Sequence, residues 1–166
     1  VMLRGVPGSG KSHLARRLRD EEVASGGQPP RVLALDDYFM AEDDEGEMVY
    51  KFEEEMEEAY RVSALKAFKK VLEVPRGAAD HHAIIIVDNC NLMLRHLMPW
   101  TAAAQAAHVD FFIAELKSDA KEAAARNVHN WTEAQVIAME RKFEPTPPQL
   151  ALLDFQSLDG DADDSS

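Results

Sequence analysis

Short apolar runs alternate along this chain with longer segments of helical periodicity. Four apolar runs predict strands: VMLR at 1–4, RVLAL at 31–35, AIIIVD at 83–88 and VDFFIAEL at 109–116. Helices are predicted between and after these runs, over 11–24, about 52–75, 93–107, 118–130 and 132–143. Because strands alternate with helices, the pattern predicts an α/β fold whose central parallel sheet is covered by helices on both faces.

Two helical segments indicate which of their side chains are buried. In the first helix, Leu14, Leu18 and Val23 are predicted to face inward. In the longest helix an apolar residue recurs at every fourth position, which predicts core packing along one face: Phe52, Met56, Tyr60, Ala64 and Phe68. The acidic stretch 41–49 lies between these segments and predicts a solvated loop.

A chain of 166 residues is expected to form one core. We assign residues 1–153 to this domain, and we expect LALLDFQSL at 150–158 to pack its Leu and Phe side chains back on the body. Residues 154–166 are assigned to an acidic, disordered tail, because the last residues, DGDADDSS, are too polar to fold. The first predicted strand includes Val1, the first residue of the sequence, so the domain is expected to be part of a longer protein.

The charge of the chain is −12, and its acidic residues are clustered. Ten of them lie between Glu42 and Glu58. A broad electrostatic grip on nucleic acid is therefore excluded, because such binding needs Lys and Arg against phosphates. The lone Cys90 excludes an internal disulfide and a Cys-based zinc site and fits a reducing compartment. No apolar run approaches the roughly 18 residues of a membrane span, so no membrane partner is expected.

The glycine-rich stretch GVPGSGKS at 5–12 satisfies the pattern G-x-x-x-x-G-K-[ST], between a predicted strand and a predicted helix. Glycines let successive N–H groups turn inward to form an anion nest at a helix N-terminus. Lys11 adds a positive charge beside the outer phosphates, and the Ser12 hydroxyl is placed to bind Mg²⁺. We predict that ATP or GTP binds here with Mg²⁺, held by Gly5, Pro7, Gly8, Ser9, Gly10, Lys11, Ser12 and His13.

Catalysis requires further groups at the same rim of the sheet. Asp36 and Asp37 follow the second strand, and one of them is expected to face the site because adjacent side chains leaving a strand point apart. The alternative for the other is a helix cap or a solvated turn. Asp88 ends the third strand, in the position of a carboxylate that reaches Mg²⁺ through water, and is followed by Asn89 and Asn91.

These two asparagines and the candidate lid have structural alternatives. Asn89 and Asn91 could also be turn residues after a strand. Arg126, with Lys121 and His129 nearby, could close over the phosphates as a lid, and its alternative is a solvated helix face.

The segments LRGVPGSGKS, LDDYF and IIIVDNCN occur in this order with gaps that resemble the P-loop kinase family containing phage polynucleotide 5′-kinase and the kinase-like domain of 2′,3′-cyclic nucleotide phosphodiesterase. The resemblance implies a three-layer P-loop NTPase fold of the nucleoside and polynucleotide kinase type, with the P-loop strand in the middle of the sheet. It implies that Lys11 and Ser12 bind donor phosphates and Mg²⁺, that Asp36 is the general base, and that Arg126 belongs to the lid. Asp37 and residues 88–91 are implied to line the acceptor side.

Other stretches resemble a nuclear member of this group, namely RVLALDDYF, EEEMEEAYRVSALKAFKKVL, RHLMPWTAAA and ARNVH. This resemblance implies a nuclear location and nuclear protein partners. Two departures from the phage-type pattern affect catalysis. Phe39 occupies the place of an Arg that engages the acceptor phosphate, and Val128, His129, Asn130 and Trp131 follow Arg126 where a second lid Arg is expected.

Three functions are compatible with these residues. The first is phosphoryl transfer from a nucleoside triphosphate to a hydroxyl of a nucleic acid end or nucleotide, or hydrolysis of the triphosphate, with Asp36 as base. The second is a nucleotide-binding pseudo-kinase that serves as a nuclear protein-interaction module. The third is a small-metabolite kinase of the same fold.

Overall fold

The fold is that of a computed structural model, which describes residues 1–156. Of the predicted acidic tail at 154–166, residues 157–166 lie outside the described residues. The strands are β1 (Met2–Arg4), β2 (Arg31–Leu33), β3 (Met40–Glu42), β4 (Met48–Tyr50), β5 (Ile85–Val87), β6 (Phe112–Glu115) and β7 (Ala151–Leu152). The helices are α1 (Lys11–Ala24), α2 (Glu57–Leu72), α3 (Leu94–Ala106), α4 (Ala120–Arg126) and α5 (Glu133–Glu140). Two 3₁₀ turns span Leu35–Phe39 and Glu54–Met56.

Five parallel strands form the central sheet in the order β2-β5-β1-β6-β7. The P-loop strand β1 lies in the middle, where Met2 pairs with Val87 on one side and Ile113 on the other. Parallel strands place their carboxyl ends at one edge of a sheet. The segments after β1, β2 and β5 therefore meet there, and the predicted α/β architecture is confirmed.

Helices cover both faces of this sheet because successive strand residues point to opposite sides. Met2 and Val87 pack with Phe68 of α2 and Trp100 of α3 in one buried cluster. On the other face, Leu3, Ile86 and Ala114 pack with Leu14 and Ala15 of α1. A third cluster joins Val6 and Leu92 to Ala123 of α4 and Val136 of α5. The molecule thus has three layers, with α4 and α5 beside the glycine-rich loop.

The structure corrects several predicted elements. Residues 40–50 form a β3–β4 hairpin rather than a loop, in which Met40 pairs with Tyr50. The Asp43 carboxylate turns the chain by accepting from the N–H groups of Glu45 and Glu47. Within α1, Val23 is 48% exposed and does not face inward.

The ends of other elements also differ from the prediction. The second strand ends at Leu33, and the predicted helix over 118–130 ends at Arg126. Past the PTPP segment, Ala151 and Leu152 add a fifth parallel strand beside β6, while Leu153 and Phe155 pack on the α1 side of the sheet. The described part of the chain contains no helix long and apolar enough to cross a membrane.

Arg4 is the largest fully buried side chain of the described residues, although it ends an apolar strand. Its guanidinium donates to the carbonyl oxygens of Asn91, Leu92 and Glu144 at 2.7–2.9 Å. It also donates to the Thr146 hydroxyl, lies 3.7 Å from the Glu115 carboxylate and stacks on the ring of Phe143. Arg4 therefore joins β1 to the segment after β5 and to the segment after α5.

Candidate functional site

The glycine-rich loop connects β1 to the first turn of α1 in the conformation that its glycines permit. Gly8 and Gly10 have φ angles of 80° and 104°, which residues with a Cβ rarely adopt. A Cβ on Gly8 would also overlap the carbonyl of Ala123 in α4. The loop therefore passes directly under α4, and glycine is required at this point of contact.

Two features of the loop fit a bound polyphosphate. The Ser9 hydroxyl is buried and has no hydrogen-bond partner, which leaves a donor available inside the loop. The Lys11 ammonium is buried in the same loop and donates to the carbonyl oxygens of Gly5 and Val6 at 3.0 and 2.9 Å. A positive charge thus stands at the N-terminus of α1, where backbone N–H groups favour an anion.

Ser12 and Asp88 bring the first turn of α1 to the end of β5. The Ser12 hydroxyl donates to Asp88 Oδ2 at 3.3 Å. Burial raises the pKa of Asp88, with further upward contributions from the charges of Asp36 and Asp37, while Lys11 and the Ser12 hydroxyl oppose the shift. Mg²⁺ prefers oxygen ligands of this kind, takes few of them from a protein and keeps water for the rest.

Asp36 and Asp37 follow β2, as predicted, but they lie in the 3₁₀ turn Leu35–Phe39 rather than directly at the end of a strand. The turn is held at its start by the Leu35 N–H, which donates to Asn89 Oδ1 at 2.6 Å. Since the strand has ended at Leu33, the expectation that the two carboxylates point apart does not apply. Both aspartates line the same cavity as Lys11.

Asp36 contacts two aromatic side chains that come from distant segments. His129 Nε2, in the connection from α4 to α5, lies 3.3 Å from Asp36 Oδ2. The ring of Tyr50, at the end of β4, stacks on His129 with centroids 3.9 Å apart. Burial raises the pKa of Tyr50, and the neighbouring Asp36 charge and hydrogen bond raise it further. The hairpin and the α4–α5 connection thus meet at the predicted base.

One cavity of about 1110 Å³ unites most of the predicted site. Its lining includes Pro7, Gly8, Gly10, Lys11, Ser12, His13, Asp36, Asp37, Asp88, Asn89, Asn91 and Arg126. Six Lys or Arg residues line it against five acidic ones, in a chain that has 18 Lys and Arg against 30 Asp and Glu. The cavity therefore concentrates the positive charge that the chain otherwise lacks, as an anionic ligand requires.

Four of the predicted residues make contacts that support the structure around the site. Gly5 and Ser9 lie outside the cavity lining, and Asn89 and Asn91 belong to it. Gly5 and Ser9 form the base of the loop, where the Gly5 N–H donates to the Cys90 carbonyl at 3.0 Å. Asn89 and Asn91 are buried, and the Asn91 amide donates to the Leu3 carbonyl at 3.0 Å. These two amides are thus engaged in anchoring the backbone around the site.

Arg126 and Phe39 differ in accessibility. Arg126 is exposed at the C-terminal end of α4, beside the cavity and above the glycine-rich loop. Phe39 is 4% exposed and packs against Phe52 and Tyr60, with ring centroids 5.0 and 4.9 Å apart. The place of the acceptor Arg in phage-type kinases is therefore filled by a core side chain.

Several residues of the cavity were not predicted from the sequence. Tyr50 follows a stretch that its acidity marked as a loop, and Trp131 was noted only as a departure from the lid pattern. Phe52 was predicted to pack in the core on the long helix, but it precedes α2 and is 40% exposed. Arg61, Arg95 and His96 also line the cavity, from α2 and α3. Burial lowers the pKa of His96 to about 4, and the positive charges of Arg61 and Arg95 add to this effect. Arg61, Arg95 and His96 were missed because each looked in the sequence like an ordinary polar position on a helix.

The parallel sheet, the glycine-rich loop and the cavity at the carboxyl ends of the strands define a P-loop kinase-like protein. Comparison with protein families agrees. The chain belongs to the family described as AAA domain, which matches residues 1–146.

The chain is also similar to individual proteins. It is 37% identical over 175 residues to YLP motif-containing protein 1 of Rattus norvegicus, and the match covers 98% of this chain but 12% of that protein. The chain thus spans about an eighth of that relative. Among solved structures, Kti12 of Chaetomium thermophilum in complex with ADP-AlF3 shares the fold, with a TM-score of 0.59, 17% identity and coverage of 98% and 96% of the two chains.

A second solved structure has the same architecture. The APS kinase CysC of Mycobacterium tuberculosis, in complex with AMPPNP and APS, gives a TM-score of 0.58 at 18% identity, with 97% of this chain and 91% of that chain covered. At such identities the likeness shows the fold alone. The kinase-like fold implies nucleotide binding.

Proposed function

We propose that this domain transfers the terminal phosphoryl group of ATP or GTP to a hydroxyl of a nucleic acid end or a nucleotide. The observation that supports this most is the meeting of Lys11, the Ser12–Asp88 pair and Asp36 at one cavity. A phosphate cradle, a metal-ligand pair and a carboxylate base are the parts that phosphoryl transfer needs.

The donor end of the site is built from the glycine-rich loop. Backbone N–H groups and the Lys11 ammonium bind the β- and γ-phosphates, and the Ser9 hydroxyl gains a partner there. Ser12 and Asp88 are the residues that would hold Mg²⁺, and the ion would supply positive charge against the phosphate oxygens. Lys11 leaves the Gly5 and Val6 carbonyls as it engages the donor.

Asp36 serves the acceptor end. It accepts the proton of the acceptor hydroxyl while the hydroxyl oxygen bonds to the γ-phosphorus and the bond to the departing nucleoside diphosphate breaks. His129 holds the Asp36 carboxylate in place from the α4–α5 connection. Arg126, exposed beside the loop, is the cation available to close over the transferring group. With water as the acceptor, the same residues hydrolyse the triphosphate.

The test is transfer of labelled phosphate from ATP or GTP to 5′-hydroxyl oligonucleotides with Mg²⁺. Asp36→Asn should lower the transfer rate roughly 10²- to 10⁴-fold while nucleotide binding persists. Asp20→Asn is the matched control, since Asp20 is exposed on α1 and pairs with Arg19. Transfer at the wild-type rate by Asp36→Asn, or by Lys11→Ala, would contradict the proposal.

A second candidate is a nucleotide-binding pseudo-kinase that acts as a protein-interaction module in the nucleus. Phe39 supports it, because a buried ring replaces the Arg that engages an acceptor phosphate in phage-type kinases. Nucleotide binding without transfer to any hydroxyl would favour this candidate. The nuclear location itself stays a prediction, tested by imaging the tagged full-length protein in cells.

The small-metabolite kinase remains a third candidate, and a substrate screen separates it from the first. Polyols and sulfated or phosphorylated metabolites would replace oligonucleotides as acceptors in the same assay. We place it behind the other two because the acceptor side of the cavity is lined by aromatic rings rather than by hydrogen-bonding side chains alone.

A further inference from the structure

Four aromatic side chains form one continuous surface on the acceptor side of the cavity. We call this surface the aromatic wall, and it consists of Tyr50, Phe52, His129 and Trp131. Tyr50 stacks on His129 at 3.9 Å between ring centroids. Trp131 meets Phe52 at 5.4 Å and Tyr50 at 6.4 Å, both edge to face. These distances are those of interacting rings, so the four side chains form a single unit.

The wall is held rigidly from two directions. Phe39, buried in the core, supports it from behind through Phe52 at 5.0 Å and Tyr50 at 6.1 Å. On the other side, Asn127 Oδ1 accepts from the N–H groups of His129 and Trp131 at 3.2 and 2.9 Å. Its amide also donates to the Trp131 carbonyl at 2.9 Å. The ring positions are therefore set before any ligand binds.

The wall adjoins the proposed base and remains open to the cavity. His129 contacts Asp36 directly, and Phe52 is 40% exposed although it packs on the core. The exposed cation Arg95 lines the same cavity from α3. An acceptor whose hydroxyl reaches Asp36 would thus lie across aromatic rings with a positive charge nearby.

Phe39 links this arrangement to the departure from phage-type kinases. The residue that replaces the acceptor-phosphate Arg is the one that supports the wall. Aromatic rings bind nucleobases by stacking, whatever the base, because every base has a flat π-face.

We propose that the aromatic wall stacks on a nucleobase of the acceptor, so that the acceptor is a nucleotide or a nucleic acid end and not a sugar or a small metabolite. The inference rests on the proposed function for its assignment of the cavity to an acceptor. The inference goes beyond the proposed function by assigning recognition of the acceptor to four residues, namely Tyr50, Phe52, His129 and Trp131.

The test is equilibrium binding of a 5′-hydroxyl trideoxynucleotide to the full chain, saturated with AMP-PNP and Mg²⁺. Phe52→Leu should weaken this binding about five- to a hundredfold, the loss expected for one base-stacking contact. Phe112→Leu is the matched control, because Phe112 is 39% exposed on β6 and lies outside the cavity lining. An abasic oligomer of the same length should bind to the wild type at least as weakly as the trideoxynucleotide binds to Phe52→Leu.

Tryptophan fluorescence gives a second readout that does not depend on the Phe52 variant. Trp131 lies in the wall, whereas Trp100, the other tryptophan, is buried in the core. The trideoxynucleotide should quench wild-type emission in a saturable way and should not quench Trp131→Phe, which retains a ring and should still bind. Trp131→Leu should lose affinity.

Three results would overturn the inference. They are unchanged affinity in Phe52→Leu and Trp131→Leu, equal binding of the abasic oligomer, and full quenching by AMP-PNP alone with no further change on adding the trideoxynucleotide. None of these measurements needs turnover. Base-dependent binding without phosphoryl transfer would therefore support the wall while refuting the proposed reaction.

Discussion

His129 Nε2 lies 3.3 Å from Asp36 Oδ2, which joins the α4–α5 connection to the turn after β2 across 93 positions of sequence. The resemblance to phage-type kinases implies a lid Arg near this part of the chain. In this protein the residue that contacts the proposed base is a histidine. Tyr50 stacks on the imidazole ring of His129 with centroids 3.9 Å apart, which restricts the plane of that ring. The α4–α5 connection and the proposed base are therefore coupled through one side chain.

His129→Ala should lower kcat for phosphoryl transfer about tenfold, because the polar contact that orients Asp36 is lost. The dissociation constant for ATP should not change, since the glycine-rich loop is intact. His129→Gln, which can still donate to the carboxylate, should recover part of the rate. An unchanged kcat in His129→Ala, measured at saturating acceptor, would show that the contact has no part in catalysis.

Gly8→Ala should destabilise the fold by roughly 3 kcal/mol or more, because a left-handed backbone and a clash with the Ala123 carbonyl act together. Gly77→Ala separates the two effects. Gly77 has a φ of 89° and open space where a Cβ would lie, with nothing within 4 Å, so its substitution should cost about 1–2 kcal/mol. Urea unfolding measures the loss of unfolding free energy in each variant. Equal losses in the two variants would contradict the close contact between the glycine-rich loop and α4.

Arg4→Met should reduce the free energy of unfolding by about 3–5 kcal/mol, the usual effect of removing one partner from a buried charged network. Three carbonyl oxygens lose their donor, two of them in buried hydrogen bonds, while the methionine fills only part of the volume. Glu115→Gln should cost less, since Glu115 is partly exposed and a neutral amide can still accept from Thr146. A loss below about 1 kcal/mol in Arg4→Met, on the order of an exposed pair, would contradict this.

His96 should make the protein less stable in acid. Burial lowers its pKa in the folded state to about 4 from the usual 6.5, so the unfolded chain binds the extra proton more readily. This contribution to stability is complete above about pH 6.5 and is lost as the pH falls towards 4. His96→Asn should therefore show a flatter decline of unfolding free energy between those values than the wild type does. Parallel curves for the two proteins would contradict the shift.

The sequence was most informative where a local pattern has one physical solution. G-x-x-x-x-G-K-S between a strand and a helix predicts a loop at the carboxyl edge of a sheet, and the run of aliphatics before Asp88 predicts a central strand. The parallel sheet that both patterns predict is confirmed, and β1 lies in its middle as the resemblance implied.

Contacts over long sequence separations could not be predicted in the same way. Arg4 looked like a polar end to its strand, and its partners lie 87 or more positions away. The β3–β4 hairpin was hidden by its acidity, although Asp43 and Gly46 are ordinary turn residues. Tyr50 and His129 lacked any motif that would join them to Asp36. Side chains that meet only in the tertiary structure leave no periodic signal in one sequence.

Calorimetric titration of the folded domain with ATP or GTP in the presence of Mg²⁺ tests the central claim most directly, because every function considered requires the glycine-rich loop to bind a nucleoside triphosphate. The wild type should bind one triphosphate per chain in the micromolar range. Lys11→Met should weaken binding about 10- to 100-fold, the effect of losing a charged hydrogen bond, while Lys66→Met, at an exposed position of α2, should not. The absence of measurable heat from either nucleotide at millimolar concentration would contradict the account.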